Sequence, residues 1–84
     1  MSMPEGWLLD QDRFWAMRFH RDEKSWIRDP KVFVDLGREM ARGEAPLLKS
    51  RRHLRREQAE GLWKDLVRSG WQPTPPLWGS SVEP

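Results

Sequence analysis

The sequence contains no cysteine and no tyrosine, and only two histidines, His20 and His53. Without thiols there is no disulfide framework and no thiolate metal site, and a reducing compartment is permitted. The groups suited to proton transfer at neutral pH reduce to two imidazoles. No apolar run approaches the roughly 20 residues that span a bilayer. The opening "MSMPEGWLLDQD" carries acids where a leader peptide would be basic and then apolar. These absences predict a cytosolic protein that is not an enzyme, holds no metal or cofactor and does not enter a membrane. The formal net charge is only +2, so bulk charge does not argue for a polyanionic partner.

What the 84 residues do contain is aromatic bulk: six Trp (7, 15, 26, 63, 71 and 78) and three Phe (14, 19 and 33). Each such ring can bury about 150–250 Å², enough for a single domain of this size, residues 1–84, to fold without covalent staples. The first part, 6–36, reads as β-rich. "GWLLD" and "RFWAMRFHR" predict two strands joined by a polar turn. In the second, Trp15, Met17 and Phe19 alternate with Phe14, Ala16, Arg18 and His20, a period of two that separates an apolar face from a polar one. After the turn "RDEKS", Asp29-Pro30 leads into "KVFVDL". There Val32, Val34 and Leu36 oppose Phe33 and Asp35, a third strand that Gly37 is placed to end.

Residues 55–70 carry the helical signal. Ala59, Leu62, Trp63, Leu66 and Val67 recur at the spacing of one helix face, Glu60 and Lys64 form an i,i+4 pair, and Gly70 stands where a left-handed residue closes a helix, with Trp71 folding back near Leu66. Gly61 falls on the far side. Extrapolating the helix backwards puts Arg52 and Arg55 near the middle of its apolar face, a cost that unpaired buried charge forbids. The helix is therefore expected to begin near Arg55 or Arg56, leaving 37–54 as loop with 47–53 a candidate fourth strand; Ser50 as N-cap is the competing start. The tail, 71–84, holds four of the seven prolines and is expected to run extended over the body, anchored by Trp78, with its last six residues frayed. The predicted fold is α+β: a small antiparallel sheet of three to four strands, one C-terminal helix packed on a face, and a Pro/Trp-rich tail. Trp15, Met17, Phe19, Val34, Ala59, Leu62, Trp63 and Leu66 form the expected core.

Charge is distributed unevenly. Residues 1–48 carry eight Lys/Arg against nine Asp/Glu, whereas 49–56 carry Lys49, Arg51, Arg52, Arg55 and Arg56 with no acid among them. Four arginines at a helix start oppose its dipole unless an anion approaches.

The combination "GWL", "FHRDE", "SW", "GREM", "PLLKSRRHLRRE", "LW" and "GW" with a final Trp78 resembles a family of small cyanobacterial proteins described as domain of unknown function 1651, over roughly residues 6–78. The resemblance implies a cyanobacterial, cytosolic origin and transfers no activity and no site residues.

Two functional readings follow from the residues. Lys49, Arg51, Arg52, Arg55 and Arg56 suit charge-assisted phosphate contacts, and Trp26, Phe33 or Phe14 on an uncovered sheet face suit base stacking, which together describe a nucleic-acid binder. The alternative is a protein adaptor that binds an acidic surface through the same cluster and the Trp/Pro tail. The plain structural account of the same residues is that the aromatics are core and the arginines face water or pair with Glu57, Glu44 and Asp65. A catalytic reading finds little: "FHRDE" echoes a kinase loop in a chain far too short for a kinase, and His20, Asp22 and Glu23 lack a distant third metal ligand.

Overall fold

The computed structural model describes residues 5–40 and 44–78. The elements follow in the order β1 (Gly6–Leu9), β2 (Ala16–Arg21), β3 (Lys31–Arg38), β4 (Leu47–Arg55), α1 (Arg56–Arg68) and β5 (Gln72–Thr74). The strands form one antiparallel sheet in the spatial order β4-β3-β2-β1-β5. The architecture is α+β, but with five strands instead of three or four, and the helix is followed by a strand. Gln72–Thr74 pair with Leu9–Trp7 across the outer side of β1. Pro73 is accommodated because an edge strand needs only half of its backbone groups for pairing. The six residues expected to fray at the end of the chain lie outside the described residues.

Leu47–Arg55 is a nine-residue strand paired along β3, so Ser50 lies inside β4 and cannot cap a helix. Nor does Gly37 end β3. It sits beside a bulge, where Leu36 faces Ser50, Gly37 faces Leu48, and Lys49 is the extra residue on β4. The chain turns from β4 into α1 without a loop. The Arg55 amide donates to Gln58 Oε1 at 3.1 Å, and the Arg56 amide donates to Pro30 O at 3.0 Å, which ties the first turn to the start of β3. At the other end Gly70 has φ +107, its amide donates to Val67 O at 3.1 Å and the Trp71 amide to Leu66 O at 3.0 Å. This is a Schellman closure, with Trp71 returned onto the core.

Helix α1 covers one face of the sheet, where Leu8, Phe19, Val32, Val34 and Ala59 are buried and Met17, Trp26, Leu62, Trp63 and Leu66 pack around them. Trp63 sets its ring edge-on against Phe19 at 5.0 Å, and full burial of a side chain like Phe19 contributes about 2–3 kcal/mol. Val67, expected on this face, is 42% exposed. Trp15 is also outside the core. Asp10 Oδ1 accepts from the amides of Phe14 and Trp15 at 2.8 and 3.2 Å, which holds that stretch as a turn ahead of β2 and leaves Trp15 between Phe14 and Lys49.

Among the described residues, the opposite face is covered at one end only. There Trp78 meets Trp7 edge-on at 4.4 Å and, with Ala16, closes a second small cluster. Among the described residues no helix crosses the remainder of that face, the bare face, which is built by β2, β3 and β4.

Candidate functional site

Strand alternation decides which side chains share the bare face. Arg18, Asp35 and Arg51 lie in register across β2, β3 and β4, and His20, Phe33 and His53 form the next row. Arg55 faces Lys31 one step further on. Arg52 and Leu54 take the opposite parity and point to the helix side, while Arg56 opens α1. The five basic residues expected to make one surface are therefore divided around the outer strand. Arg51 and Arg55 are on the bare face, Lys49 stands over the Trp15 ring at 5.1 Å, and Arg52 and Arg56 are on the other side.

Arg51 is not a solvated charge. Its Nε donates to Asp35 Oδ1 at 2.6 Å and its Nη2 to Asp35 Oδ2 at 2.9 Å, a two-point contact with a carboxylate that is wholly buried. His20 Nε2 lies 2.8 Å from the same Oδ2. Because an ionised carboxylate only accepts, Nε2 carries the proton in this contact, and the 3.3 Å approach of Arg51 Nη2 to it is a close packing of two donors. Burial pushes the Asp35 carboxyl up, and the hydrogen bonds from Arg51 and His20 more than offset it, leaving a value of about 2. The acidic partners suggested by sequence, Glu57, Glu44 and Asp65, do not meet this cluster; Asp65 pairs with Arg68 instead.

His53 is held in the same manner. Its Nε2 lies 2.8 Å from Asp22 Oδ2, and although desolvation raises the Asp22 carboxyl, the His53 contact and the Lys24 amide bring it below its ordinary value. Between the two imidazoles stands Phe33, 5.4 Å from His20 with ring planes 33° apart, and 4.6 Å from His53 with planes 14° apart. The Arg51 guanidinium lies 4.7 Å from the Phe33 ring centre. A shallow depression of about 350 Å³ opens at this end of the face, lined by His20, Asp22, Lys24, Phe33 and Arg51 among others.

The arrangement presents planar groups and cations in fixed orientations. Among the described residues, no cluster of three or more His, Asp or Glu is placed to hold a metal ion. Of the aromatics offered for base stacking, Phe33 is on the bare face, Trp26 packs into the helix-side core, and Phe14 is 44% exposed with the Arg38 guanidinium 3.8 Å above it. Sequence reasoning missed Asp35 as the anchor of Arg51, and His53 as part of an aromatic row. The signal for the second was present: once 47–55 is a strand, residues 51, 53 and 55 must share a face.

The chain belongs to the family described as "Protein of unknown function (DUF1651)", whose model matches residues 5–78. No curated protein and no solved structure matches it. Among the described residues, no helix is long and apolar enough to cross a membrane.

Proposed function

We propose that this is a small non-enzymatic, cytoplasmic binding protein whose ligand is a nucleic acid, held by Lys49, Arg52, Arg55 and Arg56 around the outer edge of β4. The observation that carries the reading is the state of these side chains. All four are exposed, and among the described residues the ion pairs involve none of them, whereas Arg51 in their midst is committed to Asp35. Cations left without acids along an outermost strand and the helix that follows it are suited to phosphates. A proton-relay role is disfavoured by Phe33, which stands between the two imidazoles, and by the carboxylate contact that each imidazole already makes.

The test is a salt series of anisotropy titrations with the wild type and a variant in which Lys49, Arg52, Arg55 and Arg56 are all changed to Gln and Arg51 is kept. If three or four phosphates are neutralised, log K falls by roughly 0.7 to 0.9 per phosphate for each unit of log salt, and the variant flattens that slope. Equal and weak binding by both proteins would remove nucleic acid as the ligand. The adaptor reading would then take first place, because among the described residues the outer edge of β4 has no neighbouring strand and its cations suit an acidic extended segment. Recovery of a partner from lysate that survives nuclease treatment supports that second reading.

A further inference from the structure

The His20, Phe33 and His53 rings form a short column that runs across the sheet toward β4. The planes of the last two are nearly parallel, and the column stops at His53 because β4 is the outermost strand. Among the described residues no aromatic ring lies on the outer side of His53, whose side chain is 41% exposed. The ring is already oriented, by Asp22 at 2.8 Å and by Phe33 behind it, so a planar ligand group meeting it would order no further side chain. Arg55 lies two residues along the same face, about 7 Å away, and Arg52 adjoins His53 from the other side of the strand.

We infer that His53 is a stacking platform for one base of a single-stranded nucleic acid, which extends the His20–Phe33–His53 column by a further ring while Arg52 and Arg55 hold the flanking phosphates. The inference rests on the nucleic-acid reading above and narrows it. A duplex keeps both faces of its bases covered by neighbours, so only an unpaired strand can offer a base face to His53. RNA and DNA share this chemistry, and both are included in the test. Asp22, which fixes the imidazole, meets it at the Nε2 edge, 2.8 Å away, rather than through a stacked ring face.

The experiment titrates labelled single-stranded RNA and DNA of about twelve nucleotides, and a duplex of equal length, into the wild type, His53→Ala, His53→Leu and His53→Trp. Base–aromatic stacking sets the expected scale, a loss of about 5- to 20-fold in single-strand affinity for the Ala and Leu variants. The Trp variant restores it, and the wild type favours single strands over the duplex by at least the same factor. Irradiation of the wild type with a strand carrying 4-thiouracil provides a readout that needs no variant, and the crosslink is expected on the peptide that contains His53. Unchanged affinity in His53→Ala and His53→Leu, failure of Trp to rescue, equal binding of duplex and single strand, or crosslinks confined to other peptides would each overturn the inference. The two proposals fail differently. If the four-Gln variant loses binding and the His53 variants do not, the cationic edge stands and the platform falls. If the wild type binds no nucleic acid of any form, both fall.

Discussion

Asp35 and Arg51 face each other across β3 and β4 in direct register, joined by two hydrogen bonds of 2.6 and 2.9 Å between a wholly buried carboxylate and a guanidinium that is 21% exposed. Removing the guanidinium would leave a buried charge with His20 as its main counterpart. Arg51→Gln is expected to lower stability by about 3 kcal/mol, since breaking one side of such a pair costs far more than the pair contributes over an apolar substitute. Arg52→Gln, one residue away and exposed, should stay within about 0.5 kcal/mol of the wild type. Urea unfolding of the two variants checks the contrast. Equal stability would mean that Arg51 is as dispensable as its neighbour.

The same carboxylate predicts how stability responds to acid. Its folded value of about 2 lies below the ordinary 3.8, so the unfolded chain takes up the proton first as pH falls. The stabilisation is complete above about pH 4 and disappears between pH 4 and pH 2, amounting to about 2 kcal/mol over that window. In Asp35→Asn this component of the acid slope is absent. Denaturant midpoints measured from pH 5 to pH 2 for both proteins test it.

Trp63 is half-buried and meets Phe19 edge-on, while Val67 on the next turn is largely in solvent. Trp63→Ala should cost about 3 kcal/mol, the lower end of the range for buried aromatics, and Val67→Ala less than about 1 kcal/mol. A reversed order in thermal or urea unfolding would show that the helix is rotated about its axis.

Two glycines should respond to alanine with opposite signs. At Gly61, on the solvent side of α1, an added Cβ has nothing within 4 Å, so the better helix propensity of Ala should add about 0.5–1 kcal/mol and raise the melting temperature by a few degrees. At Gly37 the Cβ would lie 2.7 Å from Leu47 O, 2.8 Å from Leu48 Cδ2 and 3.1 Å from the Trp78 ring. Gly37→Ala is expected to cost about 1–3 kcal/mol, because neither a ladder carbonyl nor a wedged indole can retreat cheaply. Calorimetric melting of the pair reads both signs.

Local pattern and long-range pairing divide what was legible beforehand. The helix face from Ala59 to Leu66, its Gly70–Trp71 closure and the two faces of β2 and β3 are written in neighbouring residues, and the structure has them. The start of the helix was also recoverable, because burying Arg52 and Arg55 would have been too costly. Gln72–Thr74 was not, since Pro73 reads as polyproline unless β1 is known to lie alongside. Asp35 reads as the wet side of a strand. Its burial depends on the β3/β4 register, which sets Arg51 opposite it from sixteen residues further along the chain. The basic segment was visible as charge, but its division between two sides of a strand follows only once β4 is a strand.

The pairing of Trp7–Leu9 with Gln72–Thr74 also orders events in time. During synthesis β1 emerges first and its outer partner last, so the sheet stays open on that side until nearly the whole described chain has left the ribosome. Trp7 in turn waits for Trp78 to cover it. The early hairpins β1/β2 and β2/β3 can form locally, but the closing strand joins residues more than sixty positions apart in sequence, the kind of distant contact that slows folding. A nascent chain stalled before Gln72 would carry a bare β1 edge and an uncovered indole, a form suited to recognition by a chaperone.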